Sequence, residues 1–277
     1  MRYPITGRLS ALLFVVALQL GCTSLPATAA APQAVVASAQ ARAALAPTGR
    51  LRIAVYPGSP TSLVRSSGSP QDGGLTVEVG RELARRLGVP AELVVFERVA
   101  QIIEALQAGQ VDMTITNATP ARAVLVDFTT PLVGLELGYL ALPGSPVTML
   151  DQVDQAGRRI GVSQGSSSQA ALARVFKQAG IVPAASLKEA AEMLKDRRID
   201  AFATNKGILF ELADGLPGAR VLDGRWGLES LALAVPKGRT QGAEFLKQFV
   251  EAVRAQGLVQ QAATRAGLRG LAEPERR

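Results

Sequence analysis

The chain has 277 residues, 48% hydrophobic and 19% charged, enough apolar material for one large or two modest cores, so disorder is excluded as the default. Its formal net charge is +7, yet Lys and Arg are scattered between Asp and Glu over most of its length, and aromatic residues make up only 4%. The basic patch interleaved with aromatics that stacking on bases requires is missing, which argues against a nucleic-acid partner.

Arg2 and Arg8 precede an apolar stretch from Leu9 to Leu20. It is shorter than the roughly 20 residues of a membrane-spanning helix and suits the core of a signal peptide. Residues 1–22 are therefore expected to direct export. Leu20-Gly21-Cys22-Thr23-Ser24 follows, with the only cysteine directly after a small residue. This looks like a lipobox, and lipidation of Cys22 would tether the mature N-terminus to a membrane. It departs from the usual pattern at Gln19, where Leu is customary; the alternative is cleavage within Ala27 to Ala31, which discards Cys22. Both readings place the protein in the periplasm or cell envelope, and neither leaves a cysteine for a disulfide. Residues 23–48, rich in Ala, Pro, Gln and Ser, read as a flexible linker.

From Leu51 short apolar runs alternate with amphipathic segments. Leu51 to Val55 is a predicted strand and Thr76 to Leu87 a predicted helix, with Val79, Leu83 and Leu87 on one face and Gly88 and Pro90 ending it. Leu93 to Phe96, Val99 to Ala108 and Val111 to Thr116 continue as strand, helix and strand, with Gly109 stopping the helix. Such β-α-β-α alternation implies parallel strands covered by helices on both faces. After the punctuated stretch Leu142-Pro143-Gly144-Ser145-Pro146 the rhythm restarts. A strand is expected at Arg159 to Ser163, helices at Gln169 to Ala179 and Leu187 to Asp196, and a strand at Asp200 to Thr204. Leu231 to Val235 is another apolar run, Thr240 to Gln256 and Leu258 to Gly267 are closing helices, and the tail after Leu271 is expected to fray.

These landmarks carry a resemblance over nearly the whole mature chain. Gly74-Leu75, Ala84-Arg85-Arg86-Leu87-Gly88-Val89, Ala105-Leu106-Gln107-Ala108-Gly109-Gln110-Val111-Asp112, and Thr119-Pro120-Ala121-Arg122 with Val126-Asp127-Phe128-Thr129 look like the polar amino-acid class of bacterial extracellular solute-binding proteins, family 3. Gly161-Val162-Ser163-Gln164-Gly165-Ser166, Arg198-Ile199-Asp200-Ala201 and Ala234-Val235-Pro236-Lys237-Gly238 continue the pattern in order.

The resemblance implies a type II periplasmic binding fold: α/β, two Rossmann-like lobes joined by two crossing hinge strands, with the ligand between them. Gly138 to Leu142 and Leu231 to Val235 would be the crossings. Residues 49–140 and 232–277 would then make one discontinuous lobe and residues 141–231 the other. A small polar ligand, an ABC-transporter membrane permease as partner and a monomeric state are implied, with no cofactor and no metal.

By the same resemblance Arg122 holds the ligand's carboxylate, for which a guanidinium offers two parallel hydrogen bonds. Asn117 and Thr119 follow a strand's carboxyl end, where open α/β sheets bind ligands, although Thr119 also suits a helix cap. Ser166 and Ser167 precede a helix whose N–H groups favour negative charge. Gly74 and Leu75 stand where the family contacts the ligand's side chain. The aromatic residues customary after the first strand and after Gly74 are absent, with Tyr56 and Trp226 as candidate substitutes.

Asn205 stands where the family carries an aspartate for the ligand's ammonium group. A neutral amide cannot neutralise a buried cation. The ligand is thus expected to be a small anion or polar molecule and not a standard α-amino acid, unless Glu78 or Asp72 supplies the carboxylate. The other classes are a ligand sensor for a membrane receptor and a periplasmic dehydratase. With no histidine and no recognisable acid-base pair, an enzyme is not expected.

Overall fold

The computed structural model describes Met1, residues 37–65 and residues 72–273, and the elements below belong to the unit Ala34–Arg277. The apolar stretch Leu9 to Leu20, Cys22 and the alternative cleavage site lie outside the described residues. Leu51–Val55 runs parallel to Ala91–Val95, from Leu51↔Ala91 to Val55↔Val95, and touches Met113 through Ile53. The connecting helix Leu75–Leu87 buries Val79, Leu83 and Leu87 in one core with Leu51 and Ile53. Gly80 permits that approach, because a Cβ there would stand 2.7 Å from Ile53 Cδ1. On the opposite face Ile102 and Leu106 of helix Val99–Gln107 pack with Ala54, Val111 and Val126.

A second α/β half repeats the plan. Arg159–Ser163 is flanked by parallel partners Gly180–Ala184 and Ala201–Asn205. Leu172 of helix Ser167–Val175 packs with Ile160 and Val162, and Met193 and Leu194 of helix Leu187–Lys195 pack with Phe202. Two long strands, Val133–Ala141 and Gly227–Pro236, join the halves and pair with each other antiparallel from Val133↔Leu231 to Leu137↔Gly227. Val133 and Leu135 belong to the first core while Tyr139 and Leu140 belong to cores of the second, so the change of lobe falls inside one strand. Gly138 already pairs with Thr204 in the second half, and Leu231 with Asn117 in the first.

The same carboxylate device anchors both halves. Asp112 Oδ2 accepts from Arg52 N at 2.9 Å and its Oδ1 accepts from Arg52 Nη2 at 2.8 Å. Asp200 Oδ2 accepts from Arg159 N at 2.7 Å and its Oδ1 from Arg159 Nη2 at 2.8 Å. Each aspartate follows a helix and ties the beginning of that half's first strand. Asp112 also accepts from Arg239 Nη2 at 2.9 Å, which brings in the carboxyl-terminal part of the chain.

Three expectations need correction. The segment assigned to the linker contains the helix Ala39–Leu45, capped by Ser38, and buries Ala41 and Leu45 in the first core. Arg239 Nη1 donates to Leu45 O at 2.9 Å, and a Cβ at Gly242 would stand 2.5 Å from Leu45 Cγ. Composition suggests a tether, but the spacing of Ala41 and Leu45 is one helical stripe. The helix starting near Gln169 stops at Val175 because Asp154 draws off the following N–H groups, accepting from Lys177, Gln178 and Ala179 at 2.9 Å each. The chain then forms the strand Gly180–Ala184. Ala272, the first residue of the tail expected to fray, pairs with Gly134 beside the pair Leu271↔Leu135, and residues 274–277 of that tail lie outside the described residues.

Candidate functional site

The strands of both halves bring their carboxyl ends to one cleft, the location open α/β sheets use for ligands. Tyr56 follows Leu51–Val55, Thr116 and Asn117 end Thr114–Asn117, Ser163 ends Arg159–Ser163, and Thr204 and Asn205 end Ala201–Asn205.

Arg122 enters from the short helix Pro120–Ala123, which Thr119 caps by accepting from Arg122 N at 3.3 Å. The arginine is only 8% exposed. Its Nη1 donates to Thr116 Oγ1 at 2.8 Å and to Asn117 O at 3.4 Å, and among the described residues no carboxylate is paired with it. Burial pulls its pKa below the ordinary arginine value, while Glu229 and Tyr56 act in the opposite direction. Arginine starts so high that it keeps its charge.

Facing it is a residue absent from the expected set. Glu229, 6% exposed, projects from the crossing strand Gly227–Pro236. Its Oε1 accepts from Ser167 Oγ at 2.8 Å and its Oε2 from Asn205 Nδ2 at 3.1 Å. Asn205 Oδ1 accepts from Ile208 N at 3.1 Å, capping the helix Lys206–Asp214. The amide is thereby fixed in orientation, oxygen to the helix and nitrogen to the carboxylate. An aspartate there would set two carboxylates against each other.

The premise that the cleft lacks a carboxylate is thus not met. Glu229 stands beside Asn205 and supplies one. Neither Glu78 nor Asp72 is among the residues lining the cleft. Glu78 is paired with Arg265, and Asp72 lies on the short strand Asp72–Gly73.

Of the expected residues, Arg122, Asn117, Ser166, Ser167 and Asn205 line the cleft. The side chain of Asn117 is tied to the crossing strand, its Oδ1 accepting from Ser230 N at 3.1 Å. Ser166 caps its helix by accepting from Gln169 N at 3.1 Å. Thr119, Gly74 and Leu75 are not brought into the lining. Thr119 is the cap described above. Gly74 has φ 126°, and a Cβ would lie 2.3 Å from Ser62 O, so its place is a tight backbone approach; Leu75 is buried in the first core.

Tyr56 does reach the cleft, where burial pushes its hydroxyl pKa up. Trp226 does not line the cleft: its Nε1 donates to Gly138 O at 3.0 Å and its ring lies 6.1 Å from that of Tyr139. Glu229 and Arg98 are among the lining residues outside the expected set. A signal for the first exists, since Glu229 is the single charge in the run Leu228 to Val235, and a lone acid in a buried strand calls for a partner or a task.

Comparison with known proteins bears on the family and the fold. The model of bacterial extracellular solute-binding proteins, family 3, matches residues 51–266. A solute receptor for L-cysteine of Neisseria gonorrhoeae superposes with TM-score 0.72 at 26% identity, over 81% of this chain and 92% of that one. An amino acid ABC transporter substrate-binding protein from Streptococcus pneumoniae bound to L-arginine gives TM-score 0.72 at 19% identity, over 80% and 96%. An ancestral amino acid-binding protein, a precursor of cyclohexadienyl dehydratase, gives 0.69 at 22%, over 79% and 96%. These establish the α/β fold of type II periplasmic binding proteins. No curated protein sequence matches significantly.

Proposed function

From membership of the bacterial extracellular solute-binding proteins, family 3, to which the chain belongs, we propose that it captures an α-amino acid in this cleft and delivers it to an ABC-type importer. The observation that carries the reading is the pair of buried opposite charges, Arg122 and Glu229, lining one cleft. A zwitterion matches it: the α-carboxylate meets the Arg122 fork and the N-terminus of helix Ser167–Val175, and the ammonium group meets Glu229. Neutral Asn205 is then a support for the acidic residue. Solved relatives whose names give a ligand were described with L-cysteine, L-arginine or glutamine, which favours the same ligand class. Capture takes place outside the cytoplasmic membrane, with Leu9 to Leu20 directing export and Cys22 as the lipid anchor. A receptor is preferred to a lyase because the two buried charged residues of the lining, Arg122 and Glu229, make a pair of opposite charges and not an acid-base pair.

Thermal shift and calorimetry with the twenty amino acids and their 2-oxo-acid analogues test this. At least one amino acid is expected to stabilise the wild-type protein at micromolar concentration, and Arg122→Ala and Glu229→Gln are each expected to abolish that effect while the free protein stays folded. Equal binding of an amino acid and its 2-oxo analogue would remove the ammonium subsite and overturn the reading.

A further inference from the structure

The cleft has a second guanidinium that binding of an α-carboxylate and an ammonium group leaves unused. Arg98 is the N-cap residue of helix Val99–Gln107 in the first half and lines the cleft with Val99, facing Ser186 and Leu187 of the second. Its Nη1 donates to Ala185 O at 3.5 Å, the outer limit of a hydrogen bond. Its Nε is buried and has no hydrogen-bond partner among the described residues. A buried charged donor without an acceptor is costly, so such a group marks either strain or a partner that arrives with a ligand.

The charges of the lining point the same way. Its charged residues are Glu97, Arg98, Arg122 and Glu229. Glu97 is exposed at the rim, where water screens it. With Glu97 set aside, the half-buried Arg98 and the buried Arg122 and Glu229 carry two positive charges and one negative, an excess of one positive charge. A neutral zwitterion would leave that excess uncompensated.

We propose that Arg98 is a specificity-determining residue that turns its guanidinium onto the side-chain carboxylate of an acidic amino acid, so that the preferred ligand class is the dicarboxylic amino acids. This rests on the amino-acid reading above and adds the side chain to it. Planar, bidentate geometry suits a carboxylate better than a carboxamide, and the contact bridges the two halves, since Arg98 comes from one and Ala185 from the other.

The test is calorimetry on the wild-type protein with L-aspartate, L-glutamate, L-glutamine and L-norvaline. One of the two acids is expected to bind about tenfold or more tightly than glutamine and norvaline. Arg98→Ala is expected to bring acid, amide and norvaline within about threefold of one another. Arg98→Lys, which keeps the charge but loses the planar fork, is expected to fall between the two and decides the matter if the alanine variant fails to fold. An acid preference that survives in both variants would overturn the role of Arg98. A wild-type preference for glutamine, norvaline or any other non-acidic amino acid would overturn the ligand class while leaving the amino-acid reading standing. If no amino acid binds at all, both fall.

Discussion

Asn205 shows how much one side chain can do when both ends of its amide are engaged. It caps helix Lys206–Asp214 through its oxygen and holds Glu229 through its nitrogen. Asn205→Ala removes a cap, worth about 1 kcal/mol, and a hydrogen bond to a buried carboxylate, worth about 1.5–3 kcal/mol. A loss of about 2–4 kcal/mol in urea denaturation is the expected result, together with weaker amino-acid binding because Glu229 loses its orientation. For the ligand contacts themselves, Arg122→Ala and Glu229→Gln are each expected to cost about 2–5 kcal/mol of binding free energy, since each leaves one ligand charge desolvated and unpaired. Titration calorimetry measures this directly; a change below about 1 kcal/mol would place the residue outside the site.

At the scale of the element, the two aspartate anchors make unequal predictions from one geometry. Asp112 is fully buried and binds Arg52 and Arg239, whereas Asp200 binds Arg159, whose side chain is 46% exposed. Asp112→Asn breaks a buried charge cluster and is expected to cost about 3–5 kcal/mol of stability. Asp200→Asn is expected to cost only about 1–2 kcal/mol. Helix Leu75–Leu87 supplies a pH dependence. Glu82 accepts from Arg85 at 2.7 Å and from Arg86 at 2.6 Å, and hydrogen bonding by Arg85 first, then Arg86, holds its carboxyl down at about 2 against some opposition from burial. A depressed carboxyl pKa stabilises the fold above the unfolded-state value, and that contribution is lost as the pH falls through the folded-state value. Wild type is therefore expected to lose on the order of 2 kcal/mol between about pH 4.5 and pH 2 that Glu82→Gln does not lose, read from denaturation midpoints across that range.

For the whole molecule, function depends on two halves meeting across a cleft that two strands span. The facing surfaces are close at Gly165, where a Cβ would lie 2.6 Å from Ala100 Cβ, and at Gly58, where it would lie 3.4 Å from Leu187. Gly165 also has φ +72°. Gly165→Ala is expected to add backbone strain of about 1–2 kcal/mol and to weaken ligand binding by a further 1–3 kcal/mol or so through the new contact with Ala100. Gly109→Ala is the control, since its φ is +66° but nothing lies within 4 Å of the added methyl group. It is expected to show the strain without the loss of affinity. Saturating ligand should raise the melting temperature by mass action, and small-angle scattering should report a smaller radius of gyration as the halves draw together.

Local order along the chain was open to reading before any coordinates. Period-3.6 stripes such as Val79, Leu83 and Leu87, the stop at Gly88, and the capping potential of Thr119 and Ser166 depend on neighbours within a few residues, so the elements around them could be named. Arg122 was legible because its type, its motif and its place after a strand all pointed one way. The helix Ala39–Leu45 has the composition of a linker, although Ala41 and Leu45 stand on one stripe. The site's second charge was a different matter. Glu229 reaches Asn205 across 24 residues and Ser167 across 62, and Arg98 meets Ala185 across 87. No local pattern encodes such encounters, because they are decided by which crossing strand packs beside which strand end. Sequence therefore determined the alternation of elements and the arginine; only the tertiary packing decided that a neutral Asn205 stands beside a buried acid, so that the cleft carries both charges.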